Sequence, residues 1–209
     1  MKVLLVDDHA VVREGLKRIL ETMDERVEIG EARNAGDAID LVRHHRFDCA
    51  LVDIALPGRT GLELLKLLKK EQPTLPVLIL SMYPEDQYAV RTLRAGASGY
   101  LNKESAPEQL KGAIRAIRRG EKYVSSRMAA QLASTFSPDA TRPPHEDLSD
   151  REFMVLRLMS SGASPTDIAR ELALSIKTVS TYRSRVLRKL ALHNNAQLIA
   201  YGIKNGLVP

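Results

Sequence analysis

The chain has 209 residues, 44% hydrophobic and 27% charged, with a formal net charge of +5. That length suits two modest domains; a single cysteine, Cys49, excludes an internal disulfide and a thiolate-built zinc site; and no apolar run approaches the ~20 residues that span a bilayer. The opening MKVLLVDDHA meets two carboxylates after a short apolar run, which predicts no secretory signal and a cytoplasmic location.

The first half alternates between two periods. Short apolar runs at KVLLV (2–6), RVEIG (26–30), CALVD (49–53), PVLILS (76–81) and SGYLN (98–102) read as strands. Helical spacing follows each of them, carried in turn by Val12, Leu16, Ile19 and Met23; by Ile39, Leu41 and Val42; by Leu62, Leu65 and Leu68; by Val90, Leu93 and Ala97; and by Leu110, Ile114 and Ile117. Strand-to-helix repeats of this length close as right-handed crossovers, so residues 1–120 predict an α/β domain with a doubly wound, five-stranded parallel sheet. Residues 121–145 read as a linker: RMAAQLAS (127–134) suits a short helix, and SPDATRPPHED (137–147) carries three prolines, which deny the backbone helix and ladder bonds.

Residues 146–209 read as an all-α domain of four helices. Ser149 and Glu152 form a capping box ahead of Phe153, Leu156 and Met159, and Gly162 closes that helix. Ser164-Pro165 opens a second, Ser175 caps a third reaching Leu190, and Asn194 or Asn195 opens a fourth. On the third helix Ile176, Val179, Val186, Leu187 and Leu190 are expected in the core.

Chemistry is expected where strands end. In a doubly wound sheet the carboxyl ends of strands one and three meet at the point where strand order reverses. Asp7 and Asp8 follow the first run and Asp53 closes the third, so three carboxylates converge. Like charges so close raise one another's pKa, and a divalent cation relieves them; hard oxygens favour Mg²⁺. Ser81 ends run four and Lys103 follows run five, supplying a hydroxyl and an ammonium for phosphoryl oxygens. Asp53 is then placed as the nucleophile toward a phosphoryl donor. His9, His44, His45, His145 and His193 show no metal-ligand spacing and are read as structural or surface residues, and Cys49 as a buried, inert thiol.

VDDH, LVDIALPGRTG, ILSMYPED and AGASGYLNK, covering 1–120, resemble the receiver domain of two-component response regulators. The resemblance implies a flavodoxin-like fold with Asp53 as the residue that becomes 4-aspartylphosphate. It implies Mg²⁺ held by Asp8, Asp53 and the backbone carbonyl of Ala55, with Asp7 acting through water. Ser81 is then the switch hydroxyl, Tyr100 the switch aromatic, drawn inward on phosphorylation, and Lys103 the phosphoryl-binding cation. Side chains two beyond the phospho-acceptor and two beyond the switch hydroxyl position the hydrolytic water in this family. Here they are Ala55 and Tyr83, which implies slow self-dephosphorylation. The chain is not expected to be an enzyme beyond its own phosphoryl transfer: a phosphatase of the haloacid-dehalogenase type wants a second carboxylate at the position of Ala55.

Residues 175–190 contain Lys177, Arg183, Arg185, Arg188 and Lys189 and no acid, which points to a polyanion. Lys177, Ser180, Thr181, Ser184 and Arg188 share one polar face at helical spacing, suited to a major groove, with the cations on phosphates and the hydroxyls on base edges. DLSDREFMVLRLMSSGASPTDIARELALSIKTVSTYRSRVLRKL resembles the LuxR-type helix-turn-helix domain, so the whole chain resembles the NarL/FixJ class. That implies Lys177, Thr178, Ser180, Thr181 and Ser184 on the recognition helix, flanked by Arg183, Arg185, Arg188 and Lys189; Tyr182 stands where many members carry His. The implied partners are double-stranded promoter DNA, a histidine kinase, RNA polymerase, and a second copy of the chain on phosphorylation, with no membrane. The implied function is control of transcription.

Overall fold

Five strands, β1 (Lys2–Val6), β2 (Glu28–Ala32), β3 (Cys49–Asp53), β4 (Val77–Ser81) and β5 (Gly99–Asn102), run parallel in the order β2-β1-β3-β4-β5 in the computed structural model. It describes residues 1–83, 85–125, 128–129 and 143–208. The chain divides into two units, Met1–Ala133 and Ser134–Pro209. Every residue of β3 and β4 is buried, as Val/Ile/Leu runs covered on both faces must be. Helices α1 (Ala10–Glu21), α2 (Ala35–His44), α3 (Gly61–Glu71), α4 (Glu85–Arg94) and α5 (Ala106–Arg118) alternate with the strands. Leu16 and Leu20 of α1 and Leu110, Ile114 and Ile117 of α5 join Val3, Leu5, Leu51 and Leu78 in one cluster.

Strand β2 lies two residues later than RVEIG predicts. Its register on β1 runs from Lys2↔Glu28 to Val6↔Ala32. Gly30 sits in its middle because the Phe47 ring occupies the space: a Cβ there would lie 2.8 Å from two ring atoms. Two helix starts carry caps that the apolar periodicity alone does not locate. Asn34 accepts from the Asp37 N–H at 3.0 Å, and Thr60 and Glu63 form a reciprocal capping box.

The chain beyond residue 120, expected as linker, first returns to the sheet. The Tyr123 N–H donates to Ser98 O at 2.9 Å, and its carbonyl accepts from the Tyr100 N–H at 3.2 Å. Of the expected short helix over 127–134 only residues 128–129 are described, and both are helical; most of the proline-rich stretch falls outside the described residues. At the far end Pro144–Asp147 forms one 3-10 turn, entered at a proline whose missing N–H costs nothing in a first turn.

The second unit carries α6 (Asp150–Ser160), α7 (Pro165–Glu171), α8 (Ile176–Lys189) and α9 (Asn195–Lys204) among the described residues. Each start uses the expected cap: Ser149 with Glu152, Ser164 to the Asp167 N–H, Ser175 to the Thr178 N–H, and Asn194 to the Gln197 N–H. Helices α7, α8 and α9 all pack on α6, burying Phe153, Leu156, Met159, Val179, Val186, Leu190 and Leu198. Two core expectations need correction: Ile176 is 51% exposed and Leu187 only half-buried. Ile176 opens α8, one turn before the helix meets its neighbours.

Candidate functional site

The pocket is built at the ends of β1, β3, β4 and β5. Asp7 and Asp53 are 1% and 3% exposed, and the Lys103 Nζ bridges them, 2.7 Å from Asp7 Oδ2 and 3.0 Å from Asp53 Oδ1. Burial pushes the Asp53 carboxyl above its ordinary range, against the pull of Lys103, and the neighbouring charge of Asp7 adds to the push. Asp8 is more open, its side chain 32% exposed. The strand ends are fixed by their surroundings. Arg13, buried in α1, donates from Nη1 to the Asp7 carbonyl at 2.8 Å and from Nε to Glu31 at 3.1 Å. Gly61 opens α3 against β3: its N–H donates to Ile54 O at 2.9 Å, and a Cβ there would lie 2.1 Å from the Asp53 carbonyl oxygen.

One donor atom each from Asp7, Asp8, His9 and Asp53 lie within 4.8 Å of one another, so the expected acidic cluster forms, with a histidine in it. A set of hard carboxylates around a single point suits a dication such as Mg²⁺. His9 lies at the surface as its reading expects, its side chain 65% exposed, with Nδ1 2.9 Å from Asp8 Oδ1. Neither Arg13 nor Gly61 was singled out as part of the site; the available signals were the place of Arg13 one turn into α1 and the place of Gly61 at the end of LVDIALPGRTG.

Ser81 is fully buried, and its Oγ accepts the Tyr83 N–H at 2.9 Å. Tyr100 is already turned inward, 2% exposed, and its hydroxyl donates to the Tyr83 carbonyl at 2.8 Å. Tyr83 thus bonds to both expected switch residues, and its ring stacks on Tyr88 with centroids 5.2 Å apart. Cys49 is fully buried, and that burial raises its thiol to about 12, so it stays protonated.

On α8, Lys177, Ser180, Thr181, Ser184, Arg185 and Arg188 are exposed and Thr178 and Arg183 half-buried. Thr181 and Ser184 donate their hydroxyl protons back to Lys177 O and Ser180 O, both at 3.0 Å, which leaves oxygen lone pairs facing out. The Arg185 guanidinium lies 5.8 Å from the centre of the Tyr182 ring. Two expected phosphate-contacting cations are engaged within the unit. Arg183 Nε donates to Asn195 Oδ1 at 2.5 Å, and the Lys189 Nζ lies 2.6 Å from Glu152 Oε2.

Residues 3–115 match the family described as "Response regulator receiver domain", and residues 146–201 match "Bacterial regulatory proteins, luxR family". The chain is 36% identical over 208 residues to Response regulator UvrY of Escherichia coli K12, covering 99% of this chain and 95% of that one. The chain belongs to the NarL/FixJ family of response regulators. RcsB from Salmonella enterica serovar Typhimurium, bound to promoter rprA in the presence of the phosphomimetic BeF₃⁻, has a similar structure. Its TM-score is 0.65 at 27% identity, covering 96% of this chain and 97% of that one. A structure of two RcsB dimers bound to two parallel DNAs matches with TM-score 0.60 at 29% identity, over 96% and 97% of the two chains. As a NarL/FixJ response regulator the chain pairs a receiver with a LuxR-type DNA-binding domain and regulates transcription by binding DNA; it is not an enzyme of the ordinary kind. No helix among the described residues is long and apolar enough to cross a membrane.

Proposed function

We propose that Asp53 accepts a phosphoryl group from a partner histidine kinase, and that this acyl phosphate controls binding of promoter DNA by α8. The observation that carries the reading is the buried convergence of Asp7, Asp53 and Lys103 at three strand ends. A carboxylate oxygen of Asp53 attacks phosphorus while the bond from phosphorus to the donor imidazole breaks. The Lys103 Nζ, already 3.0 Å from Asp53, takes a phosphoryl oxygen as the new bond forms. Ser81 accepts its bond from the Tyr83 N–H, so its own proton is free to donate to a second oxygen. Asp7, Asp8, Asp53 and the Ala55 carbonyl would hold Mg²⁺, which supplies charge neutralisation at the transferring group. No basic residue beyond Lys103 is needed.

Donation from Ser81 to a phosphoryl oxygen draws its Oγ toward the phosphate, and with it the Tyr83 N–H from which that oxygen accepts. The contact between Tyr83 and Tyr100 then reports the change to the α4 and β5 surface, biasing an existing equilibrium toward a homodimer. On DNA, Lys177, Arg185 and Arg188 meet phosphates, and Thr178, Ser180, Thr181 and Ser184 face base edges. With Thr181 and Ser184 donating into the helix, their outward oxygens accept, which suits the amino groups of adenine and cytosine. Arg183 and Lys189 act first within the domain. RNA polymerase is the partner such a regulator would recruit, in the cytoplasm.

Selection of genomic DNA fragments by the purified chain with Mg²⁺, with and without a small phosphoryl donor, tests this. Discrete fragments should be enriched with donor and lost in Asp53→Ala. Equal enrichment in all three conditions would leave DNA binding intact and overturn the phosphorylation control.

A further inference from the structure

One group in the pocket has no part in phosphoryl transfer. His9 occupies the N-cap of α1, yet its side chain makes no capping bond. Its N–H donates to Asp7 Oδ1 at 2.8 Å, and the ring lies back over the strand end. There the Nδ1 is 2.9 Å from Asp8 Oδ1 and 3.5 Å from Asp7 Oδ1. The four donor atoms of Asp7, Asp8, His9 and Asp53 lie within 4.8 Å of one another. Metal bonds of about 2.0–2.2 Å put donors on opposite sides of one ion about 4.0–4.4 Å apart, so small side-chain adjustments bring all four onto one ion. The members that must adjust are the open ones: the side chains of Asp8 and His9 are 32% and 65% exposed, while Asp7 and Asp53 are held in the core.

We propose that His9 is a fourth protein ligand when this pocket takes a transition-metal dication, which makes it a site for the Mn²⁺, Ni²⁺ and Zn²⁺ class as well as for Mg²⁺. The inference rests on the acidic pocket being the divalent-ion site. Mg²⁺ prefers oxygen and keeps several waters, so an imidazole adds little to its binding. Ions of intermediate softness gain from nitrogen, and a set of three carboxylates and one imidazole suits them. His9 therefore separates ions rather than strengthening all of them. A histidine serving only as a hydrogen-bond partner of Asp8 would treat every dication alike. The other ring nitrogens with described bonds are turned elsewhere: His44 Nδ1 to Asp40 O at 2.7 Å and His145 Nδ1 to the Tyr201 hydroxyl at 3.0 Å.

The test uses the full chain with one equivalent of Mn²⁺ and pulsed electron paramagnetic resonance, which detects a directly bound ¹⁴N. Wild type should show the nitrogen coupling, and His9→Ala should lose it while Mn²⁺ stays bound. Calorimetry with Ni²⁺ and with Mg²⁺ should show the ratio of the two affinities falling by about tenfold or more in His9→Ala, the scale on which ligand-shell changes act. A wild-type chain that binds Mn²⁺ without nitrogen coupling, or coupling that persists in His9→Ala, would overturn the proposal. Undiminished Mn²⁺ and Mg²⁺ binding by Asp53→Ala would instead overturn the pocket as the ion site, and the role of His9 with it.

Discussion

The Lys189 ammonium lies 2.6 Å from the Glu152 carboxylate and ties the last turn of α8 to the first turn of α6. Glu152 also accepts the Ser149 N–H at 2.8 Å as the second half of the capping box. Burial pushes its carboxyl up, but Lys189 and the two bonds to Ser149 together outweigh burial and hold it below its ordinary value of 4.5. A carboxyl depressed by folding adds stability that is complete above its unfolded value and is lost as pH falls through the lower folded one. The protection factors of the α8 amides, exchange rates taken relative to the unfolded chain at the same pH, should therefore fall as pH falls below 4.5, and Glu152→Gln should flatten that dependence. Lys189→Ala should cost about 1 kcal/mol of protection at neutral pH by stranding a buried acceptor. It should leave the salt dependence of DNA binding unchanged.

Arg188 behaves in the opposite way, because it stands exposed on the outer face of α8. Replacing it with Ala should weaken binding to all sequences and reduce the slope of log affinity against log salt by about one, the value for one lost phosphate contact. Ser184→Ala should change which sites are preferred and leave that slope alone. Fluorescence anisotropy titrations at several salt concentrations read both; equal loss of selectivity in the two variants would contradict this sorting of contacts.

Gly61 allows α3 to begin against the backbone of Asp53. A methyl group there would lie 2.1 Å from the Asp53 carbonyl oxygen, and backbone cannot move aside as a flexible side chain can. Gly61→Ala should destabilise the receiver by about 2 kcal/mol or more in urea unfolding. It should also slow phosphorylation by a small-molecule donor, since the displaced segment carries the phospho-acceptor.

Ala55 follows Asp53 by two residues and offers no side-chain hydrogen bond to an attacking water, and the ring of Tyr83 is held by its stack on Tyr88. The phosphorylated chain should therefore be long-lived. Ala55→Asn should shorten its lifetime about tenfold, the effect of a transition-state interaction of about 1.4 kcal/mol. Following loss of acid-labile phosphate over time measures this directly, and an unchanged lifetime would contradict the role given to Ala55.

Most of the architecture was legible because local signals agreed with the global fold. Strands β1 and β3 and every helix cap of the second unit follow from apolar runs and Ser/Asn starts. Where the reading slipped, the deciding contact was distant in sequence. Strand β2 is an edge strand, Glu28-Ile29-Gly30-Glu31-Ala32, whose register comes from β1 and from the Phe47 ring rather than from its own pattern. Ile176 has the spacing of a core residue, yet its place at the helix start leaves it in solvent. Lys189 looks like one more cation of a basic helix until Glu152, 37 positions earlier, is brought beneath it. In the pocket, the carboxylates and Lys103 were legible because each ends or follows a strand. Arg13 was not, since its role is to hold a backbone carbonyl, which no motif records.

The reacting groups stand at or just past the last residue of their strands: Asp7 after β1, Asp53 closing β3, Ser81 closing β4 and Lys103 after β5. The interiors of those strands, Val3 to Val6, Cys49 to Val52 and Val77 to Leu80, are buried almost completely. The positions that hold the sheet together and those that react are therefore different positions on the same strands. Apolar residues can be exchanged among the former at nearly constant volume without moving the latter. Drift in the core is thus uncoupled from change in the chemistry, and two chains can share this pocket while sharing few of the side chains beneath it.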